Sequence, residues 1–331
     1  MQGKNNPRFL ITGDINLDLI VKGLKAVPRP GEEVFVPDIC LCAGGSAANT
    51  AVALARLGEQ VSLHGHGGDD YLSQYLYQAL HEAGVDTSLL QVVPGARTGL
   101  SIAITSQADR SFISYQGSNA AYRPLPPVGE QLATFTHLHL SAFNWEENLK
   151  AYFVLLQEAR AAGLSTSLDT GWFDFDHLRP GVLELLTLID LFFPNEAEAC
   201  ALTGRKTWQE ALGVLASRVK VAIITRGGQG VAVQSGSKFF CLPAFDVRSV
   251  DAVGSGDVFA AGFLNAYSRG WELEKCALWA SACGALAATR WGGAAAAPTA
   301  AEVKAFLAER EVKLDECIPA RNGGYCFSAG R

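Results

Sequence analysis

The stretch that decides the fold is DAVGSGDVFAAGFLNAY, residues 251–267. Its loop has Gly254 and Gly256 one residue apart, and Asp257 stands where an apolar helical pattern begins. Glycines permit backbone torsions and close approaches that other residues resist. A loop that turns directly into a helix points several backbone N–H groups at one spot, with the helix dipole behind them. The stretch therefore predicts an anion-binding site with a carboxylate beside it.

Asp257 has two interpretations on this stretch alone. As an N-cap, its side chain would accept hydrogen bonds from the first N–H groups of the helix. As a catalytic residue, it would take the proton from an attacking hydroxyl while the backbone amides stabilise a phosphoryl group in transfer. The usual phosphate fingerprints are missing, since the chain has no GxxxxGK[ST] loop and no GxGxxG after its first predicted strand. The other motifs of the chain decide between the two.

The composition indicates a large, well-packed α/β protein. The chain has 331 residues, of which 49% are hydrophobic and 18% charged, with a formal net charge of -6. This charge gives no basic field for holding a nucleic acid. No segment approaches the roughly 20 apolar residues that span a bilayer, and the N-terminus reads as a first strand and not as a signal peptide. We expect a cytoplasmic protein that binds neither nucleic acid nor membrane, with its eight scattered cysteines as free thiols.

Short apolar runs alternate with helical patterns along most of the chain. RFLITGD, QVSLHG, THLHLSAF, LSTSLDT, DLFFPN and KVAIITRGG are typical of buried strands, while SAANTAVALARLG, YLSQYLYQALHEAG, NLKAYFVLLQEARAAG and WQEALGVLASRV have helical spacing. This order predicts a mostly parallel sheet covered by helices on both faces. Ligands of such sheets bind outside the carboxyl ends of the strands, so motifs that directly follow a strand are the most informative.

Two regions break this order. Residues from about 31 to 42 and from 96 to 119 alternate apolar and polar side chains, which is typical of half-exposed antiparallel hairpins. They predict a small β-strand lid inserted into one domain that spans residues 1–313. The tail, residues 314–331, has weak patterning and is expected to be peripheral.

Polar residues and glycines follow the first predicted strand and precede the first predicted helix. Asn16 and Asp18 are placed where that strand ends, and Gly44, Gly45 and Asn49 stand at the start of the helix. Bare backbone beside short polar side chains suits a polyhydroxylated ligand. Each residue also has an ordinary structural explanation, as a turn residue or a satisfied polar group.

GGSAANTAVALARLG, PNEAEACALTG, ITRGGQGV and DAVGSGDVFAAGF, in this order, resemble the ribokinase-like PfkB carbohydrate kinases, and the likeness extends from about Phe9 to about Leu307. The resemblance implies a three-layer α/β/α sandwich with a β-strand lid, ATP as phosphoryl donor, and a sugar or nucleoside hydroxyl as acceptor. It also makes the catalytic interpretation of Asp257 the stronger one.

The resemblance assigns roles to residues at matching positions. Asp257 would be the general base, and Gly254, Ser255 and Gly256 would supply the amides of the anion hole. The acceptor hydroxyls would be bound by residues of the first two motifs, with Gly44 shaping the loop: Asn16, Asp18, Gly45 and Asn49.

The nucleotide side of the site rests on the two middle motifs. Asn195 and Glu198 match a motif that organises magnesium and the phosphates, and Glu198 would hold Mg²⁺ directly or through water. The ordinary explanation of this pair is helix capping. The nucleotide-binding turn after a strand would be formed by Thr225, Gly227 and Gly228.

Some relatives hold a monovalent cation such as K⁺ beside the anion hole. Here the matching residues are Asp251 and the carbonyl of Val253, with Gly292 in a second carbonyl region. Ala296 replaces a small polar residue that some relatives use there, so a K⁺ requirement is left open.

Other departures bear on the acceptor. Ser46 stands where ribose-specific relatives have a lysine, and LDTGWFDF replaces a motif that carries an arginine in fructose kinases, although Asp169 is kept. Trp172 and Phe173 could stack on a ligand or simply pack, and Arg110 in the lid could meet an acidic acceptor or stay solvated.

We therefore expect a kinase that uses ATP and Mg²⁺ to phosphorylate a hydroxyl of a small sugar. We expect this hydroxyl to be a primary one. The alternatives are a nucleoside kinase of the same fold, with Phe112 and Ile113 of the lid as apolar lining, and a non-catalytic sugar or nucleotide sensor. The missing fingerprint disfavours a nicotinamide-dependent oxidoreductase. The resemblance also implies a homodimer that pairs through the lids, where apolar residues such as Val34, Val36, Ile102 and Ile104 would otherwise be bare.

Overall fold

The computed structural model describes residues 7–24, 26–105, 110–124, 129–171 and 178–312. Within these residues the strands are β1 Arg8–Thr12, β2 Asn16–Lys22, β3 Asp38–Gly44, β4 Gln60–Gly67, β5 Leu90–Val92, β6 Leu100–Thr105, β7 Arg110–Tyr115, β8 His137–Ser141, β9 Ser165–Asp169, β10 Leu191–Phe192, β11 Val221–Thr225, β12 Val231–Ser235 and β13 Lys238–Leu242. The α-helices are α1 Ser46–Arg56, α2 Tyr71–Glu82, α3 Trp145–Ala161, α4 Arg179–Leu185, α5 Glu196–Thr203, α6 Trp208–Ala216, α7 Ser255–Ser268, α8 Leu273–Ala288, α9 Gly293–Ala296 and α10 Ala300–Glu309.

Nine strands form the main sheet, in the order β13-β12-β11-β10-β9-β8-β1-β4-β5. The pairs from β11 through β5 are parallel, and only β12 runs antiparallel to its neighbours β11 and β13. Every strand and helix that the apolar patterns predicted lies within these elements. The carboxyl ends of the parallel strands meet along one edge of the sheet, and the site described below lies there.

Helices cover both faces of this sheet. Successive residues of β1 alternate between two hydrophobic cores, since Phe9 and Ile11 lie in one and Leu10 lies in the other. The first core includes buried residues of α1, α2, α7, α8 and α10, and the second includes those of α3, α4, α5 and α6. The predicted three-layer α/β/α sandwich is therefore confirmed.

Four further strands, in the order β3-β2-β6-β7, form a second, smaller sheet that we call the flap. β2 pairs antiparallel with β3 and parallel with β6, and β6 and β7 form the antiparallel hairpin that the alternating pattern predicted. Ile20 pairs with Ala103, and Ala103 pairs with Phe112, so these side chains lie on one face of the flap. Asp18 lies on the same face, because side chains two residues apart on a strand point to the same side.

Two strand predictions were wrong at this flap. Asn16 and Asp18 do not lie at the end of the first strand, which stops at Thr12, because the chain turns at Gly13 and enters a new strand, β2, at Asn16. Residues 31–37 contain no strand although their pattern alternates, and pairing begins only at Asp38, where β2 provides a partner.

The six described cysteines are free thiols, as expected from their spacing. No helix among the described residues is both long and apolar enough to cross a membrane. The tail, Trp172 and Phe173 lie outside the described residues.

Candidate active site

The centre of the site is the carboxylate of Asp257, in the first turn of α7. Its Oδ1 accepts a hydrogen bond of 2.6 Å from Ser46 Oγ, and its Oδ2 accepts one of 2.8 Å from Asn49 Nδ2. Both donors belong to α1, which packs against α7. The start of α1 therefore holds both oxygens of this carboxylate, and Asp257 does not cap its own helix, whose N-cap is Gly254.

The start of α7 depends on the backbone of Gly254. This residue has φ 70° and ψ 0°, a left-handed conformation that favours glycine. A Cβ here would also come within 2.7 Å of Gly293 Cα and 3.0 Å of Asn49 Nδ2. The tight approach of these segments leaves no room for a side chain at this position.

The first amides of α7 are available to an anion. The first N–H groups of a helix have no acceptor within the helix, and in the described structure the amides of Gly256 and Asp257 have no backbone acceptor in a turn either. The amide of Ser255 differs, because it donates to the carbonyl of Ala252 at 3.2 Å. Of the three residues expected to supply amides, Ser255 therefore has its amide engaged, while those of Gly254 and Gly256 have no backbone acceptor in a turn among the described residues.

The start of α1 is held by Asp14, which follows β1. The backbone N–H of Ser46 donates to Asp14 Oδ2 at 3.3 Å, and burial raises the pKa of this carboxyl although the amides of Ser46 and Ala47 oppose the rise. Gly45 is the N-cap with φ 91°, and a Cβ there would lie 2.6 Å from the carbonyl oxygen of Asp14. The turn from β3 into α1 therefore needs glycine at this position.

Asn16, Asp18 and Gly44 lie together where β2 meets β3. Asn16 Nδ2 donates to Asp18 Oδ1 at 2.7 Å, and Gly44 sits against the Asp18 carboxyl so closely that a Cβ would overlap it. Burial, opposed by the bond from Asn16, raises the pKa of Asp18 to about 7. Asn49 is not part of this group: its side chain is 4% exposed and bonds to Asp257.

Three carboxylates share one small cavity at the carboxyl edge of the main sheet. The cavity is about 230 Å³ and is lined by Ser46, Asp169, Gly171, Phe193, Asn195, Glu198, Thr225, Gly254, Gly256 and Asp257. Burial and then the charge of Asp169 raise the pKa of both Glu198, to about 8, and Asp257, to well above its usual value. Burial raises the pKa of Asp169 itself to about 6.

Glu198 has a structural role as well as a place in this cavity. It forms a capping box with Asn195, in which Glu198 N donates to Asn195 Oδ1 at 2.9 Å and Asn195 N donates to Glu198 Oε2 at 2.9 Å. Thr170 Oγ1 donates to the same Oε2 at 3.3 Å. The capping explanation of this motif therefore holds, and the carboxylate also faces the cavity.

The carboxylates of this cavity favour binding of a hard divalent cation. Carboxylates that raise one another's pKa lack a compensating positive charge, and Mg²⁺ prefers oxygen ligands while keeping several waters. The described residues contain no preformed cluster of three or more His, Cys, Asp or Glu side chains for a metal. This set of donors fits an ion that is held by water and phosphate oxygens beside Glu198.

A larger cavity adjoins this one along α7. It is about 450 Å³ and shares Thr225 and Gly256 with the carboxylate cavity; its other walls are Gly227, Gly228, Gly230, Ala244, Phe245, Asp246, Val247, Ser249, Ala252, Ser255, Phe259, Ser281, Gly284, Ala285 and Ala288. Thr225 is the last residue of β11, and Gly227 and Gly228 lie in the turn between β11 and β12. The two cavities meet at the start of α7, where Gly256 lines both.

Asp251 ties two loops together behind the anion-binding turn. It is 1% exposed, its Oδ1 accepts from the N–H of Val253 at 3.0 Å, and its Oδ2 accepts from the N–H of Gly292 at 3.1 Å. These bonds fix the backbone of Val253 beside Gly254. They give Asp251 a structural task in this loop whether or not a cation binds there.

The sequence reasoning missed four residues of the site. Asp14 was not considered, Ser46 and Asp169 were noted only as departures or survivors, and Thr170 was not singled out. All four end or follow a strand of the main sheet, or open a helix at its carboxyl edge, which is the signal that could have found them. Nothing is described of the Arg110 side chain.

Comparison with known proteins gives one consistent family. Residues 7–300 match the family described as pfkB family carbohydrate kinase. An ATP-dependent ribose-1-phosphate kinase of Halopiger xanaduensis is 30% identical over 308 residues, covering 92% of this chain and 99% of the relative. A cytidine kinase of Thermococcus kodakarensis is 32% identical over 269 residues, covering 78% of this chain and 92% of the relative. The crystal structure of ribokinase from Cryptococcus neoformans in complex with ADP superposes with a TM-score of 0.76 at 27% identity, covering 90% of this chain and 99% of that one.

Proposed function

Because the chain belongs to the pfkB family of carbohydrate kinases, we propose that it transfers the γ-phosphoryl group of ATP to a hydroxyl, expected to be primary, of a small sugar. The observation that carries the proposal is the carboxylate of Asp257, held by Ser46 and Asn49 at the place where two cavities meet beside free helix amides. This arrangement supplies the parts that an in-line phosphoryl transfer needs.

Asp257 acts as the general base. The acceptor oxygen forms a bond to the γ-phosphorus, the bond between that phosphorus and the β–γ bridging oxygen breaks, and ADP leaves with the bonding electrons. The proton of the attacking hydroxyl passes to the Asp257 carboxylate. The raised pKa of Asp257 strengthens it as a base, because burial and Asp169 disfavour its ionised form.

The amides of Gly256 and Asp257 stabilise the charge that spreads over the transferring group. Fixed donors in a site that excludes water need no reorganisation during the reaction, and the dipole of α7 adds to their effect. Gly256 lines both cavities, so these donors face the place where donor and acceptor meet.

ATP occupies the 450 Å³ cavity, with the turn that carries Thr225, Gly227 and Gly228 along its wall. Glu198 would hold Mg²⁺ directly or through water, and the ion would supply positive charge for the phosphates. Asn195 contributes by capping α5, which fixes Glu198 at the cavity. No described feature requires K⁺, and Asp251 is assigned to holding the loop.

The acceptor binds against Asn16, Asp18 and Gly44. Asp18 is 5% exposed and its carboxylate can accept two hydrogen bonds from neighbouring hydroxyls, while Asn16 can both donate and accept. Glycine at position 44 leaves room for the Asp18 carboxyl, which a Cβ there would overlap. These groups favour a substrate with vicinal hydroxyls. The flap that carries them closes over it and limits ATP hydrolysis by water.

A nucleoside acceptor is the second candidate, and Phe112 is the observation that favours it. This side chain is 53% exposed and lies on the same face of the flap as Asp18, where a base could pack against it. Ile113 cannot share that role, because adjacent residues of β7 point to opposite faces. A cytidine kinase among the relatives agrees with this candidate.

The opposite face of the flap supports the predicted homodimer. Ile39 and Ile113 are 57% and 61% exposed and lie on the face away from Asp18. Pairing of two flaps would cover these side chains and shield the edge strands. Light scattering of the purified chain tests this, and a monomeric mass at the concentrations used for activity would contradict it.

The function is tested by ADP release with a panel of acceptors. Pentoses, hexoses, their phosphates and nucleosides are assayed with MgATP, and we expect one sugar class to give the highest kcat/KM. A higher kcat/KM for a nucleoside would favour the second candidate. Background ADP release with every acceptor, together with measurable ligand binding, would favour a non-catalytic sensor and contradict the proposal.

A further inference from the structure

Ser46 contacts the catalytic carboxylate and so stands apart from the other hydroxyls at the carboxyl edge. It is the first residue of α1, and its Oγ lies 2.6 Å from Asp257 Oδ1 although the two residues are 211 positions apart. Ser46 also lines the carboxylate cavity, whereas Asn49, the donor to the other oxygen, is 4% exposed. The bond to Oδ1 is therefore made by a residue that lines the cavity, and the bond to Oδ2 by a buried one.

The charges around Asp257 make this hydrogen bond important. The titratable groups around it are Asp14 after β1, Asp169 at the end of β9 and Glu198 of α5, and no described residue lining the cavity is cationic. Burial, and then the charges of Asp169 and Asp14, disfavour the carboxylate form of Asp257. The hydrogen bond from Ser46 is the strongest effect that lowers the pKa of Asp257, ahead of the bond from Asn49.

Ser46 is itself held firmly. Its backbone N–H donates to Asp14 Oδ2, so Asp14 fixes the position of Ser46, which in turn donates to Asp257. A chain of contacts thus runs from the central strand through Asp14 and Ser46 to the base. An acceptor hydroxyl that approaches Oδ1 meets an oxygen with one lone pair already engaged, so only one direction of approach remains.

We propose that Ser46 is a positioning residue for the reaction: through the 2.6 Å hydrogen bond its hydroxyl fixes the orientation of the Asp257 carboxylate and stabilises its charge, so that Oδ1 meets the acceptor hydroxyl with a free lone pair. This inference rests on the proposed function for its kinetic part. Its electrostatic part can be measured without turnover.

The direct test is a carboxyl ¹³C NMR titration of Asp-labelled protein, with Asp257→Asn to assign the signal. Ser46→Ala should raise the pKa of Asp257 by about one unit or more, because the lost hydrogen bond favours the ionised carboxylate. Ser46→Thr keeps the hydroxyl and should leave the titration near that of the parent protein. An unshifted signal in a folded Ser46→Ala variant overturns the proposal.

The kinetic test follows the pH dependence of kcat/KM with the preferred acceptor. Ser46→Ala should move the acid limb to higher pH by about one unit and reduce kcat by about tenfold, with the KM for ATP unchanged. Ser62→Ala is the matched control, since Ser62 Oγ donates to Asp86 Oδ2 at 2.8 Å outside the site. This control should change stability without moving the limb.

The two tests separate the inference from the proposed function. A shifted NMR titration without ADP release for any acceptor supports the contact with Asp257 and contradicts the kinase assignment. A shifted acid limb in both Ser46→Ala and Ser62→Ala contradicts the positioning role, because a general loss of stability would then explain the effect.

Discussion

Replacing Gly44 by alanine should weaken binding of the acceptor and leave binding of ATP unchanged. The Cβ would overlap the Cγ and Oδ2 of Asp18 and lie 2.5 Å from its Oδ1, so the carboxyl group has to turn away. Gly44 lies in β3 and is not one of the glycines with positive φ, so alanine adds no backbone strain there. The substitution thus acts as a displacement of Asp18.

The magnitude follows from the bonds that are lost. The Asp18 carboxyl would leave Asn16 Nδ2, now 2.7 Å away, and would leave the acceptor hydroxyls that it is proposed to bind. Loss of one net hydrogen bond to a charged group, about 2 kcal/mol, raises the acceptor KM by about 30-fold. Steady-state kinetics with varied acceptor at saturating MgATP measures this, and calorimetry of ATP binding should show little change.

The matched control is Gly213→Ala in α6, where no atom lies near the added methyl group. This variant should keep both KM values and be as stable as the parent protein or more so, since alanine is the better helix former. An unchanged acceptor KM in a folded Gly44→Ala variant would refute the placement of the acceptor against Asp18.

Three further predictions concern charge. Glu198→Gln should raise the Mg²⁺ concentration for half-maximal rate by about tenfold or more with the acceptor KM unchanged; a normal Mg²⁺ titration would show that other groups hold the ion. Glu59→Ala should lower the free energy of unfolding in urea by about 2 kcal/mol, because it leaves Asn265 and part-exposed Arg269 without their buried partner; an unchanged midpoint contradicts this. The ligand-free protein should lose stability as pH rises from about 4 to 7. Burial favours the protonated form of Asp18, so its folded-state pKa, about 7, lies above its unfolded value. Thermal melts of Asp18→Asn should show a smaller decline over this range, and a decline equal to that of the parent protein would contradict the raised pKa.

The layers of the fold could be predicted from the sequence because they follow from local periodicity. Each parallel strand is buried on both faces and reads as a short apolar run, and each covering helix shows a 3.6-residue pattern. The flap was harder, because a strand needs a partner as well as a pattern. Residues 31–37 alternate without pairing, and β2 was overlooked because Asn16 and Asp18 follow β1 after only three residues.

The site divides in the same way. Its glycine loops could be predicted, since residues such as Gly254 adopt conformations that favour glycine. The bond between Ser46 and Asp257 could not, because it joins two segments 211 positions apart and depends on how α1 packs on α7. The contact between Asn49 and Asp257 could not be predicted for the same reason, and the expected role of Asn49 in binding the acceptor stays a prediction. Only the packing shows that its amide reaches Asp257.

The central claim is that the Asp257 carboxylate removes the proton of the acceptor hydroxyl during phosphoryl transfer. Asp257→Asn keeps the size of the side chain and an oxygen for a hydrogen bond, but it cannot accept this proton at working pH. We predict that kcat for the preferred acceptor falls by about 10²- to 10⁴-fold while the Kd for MgATP changes little. Turnover within a few-fold of the parent protein, in a folded variant that binds MgATP normally, would contradict the account.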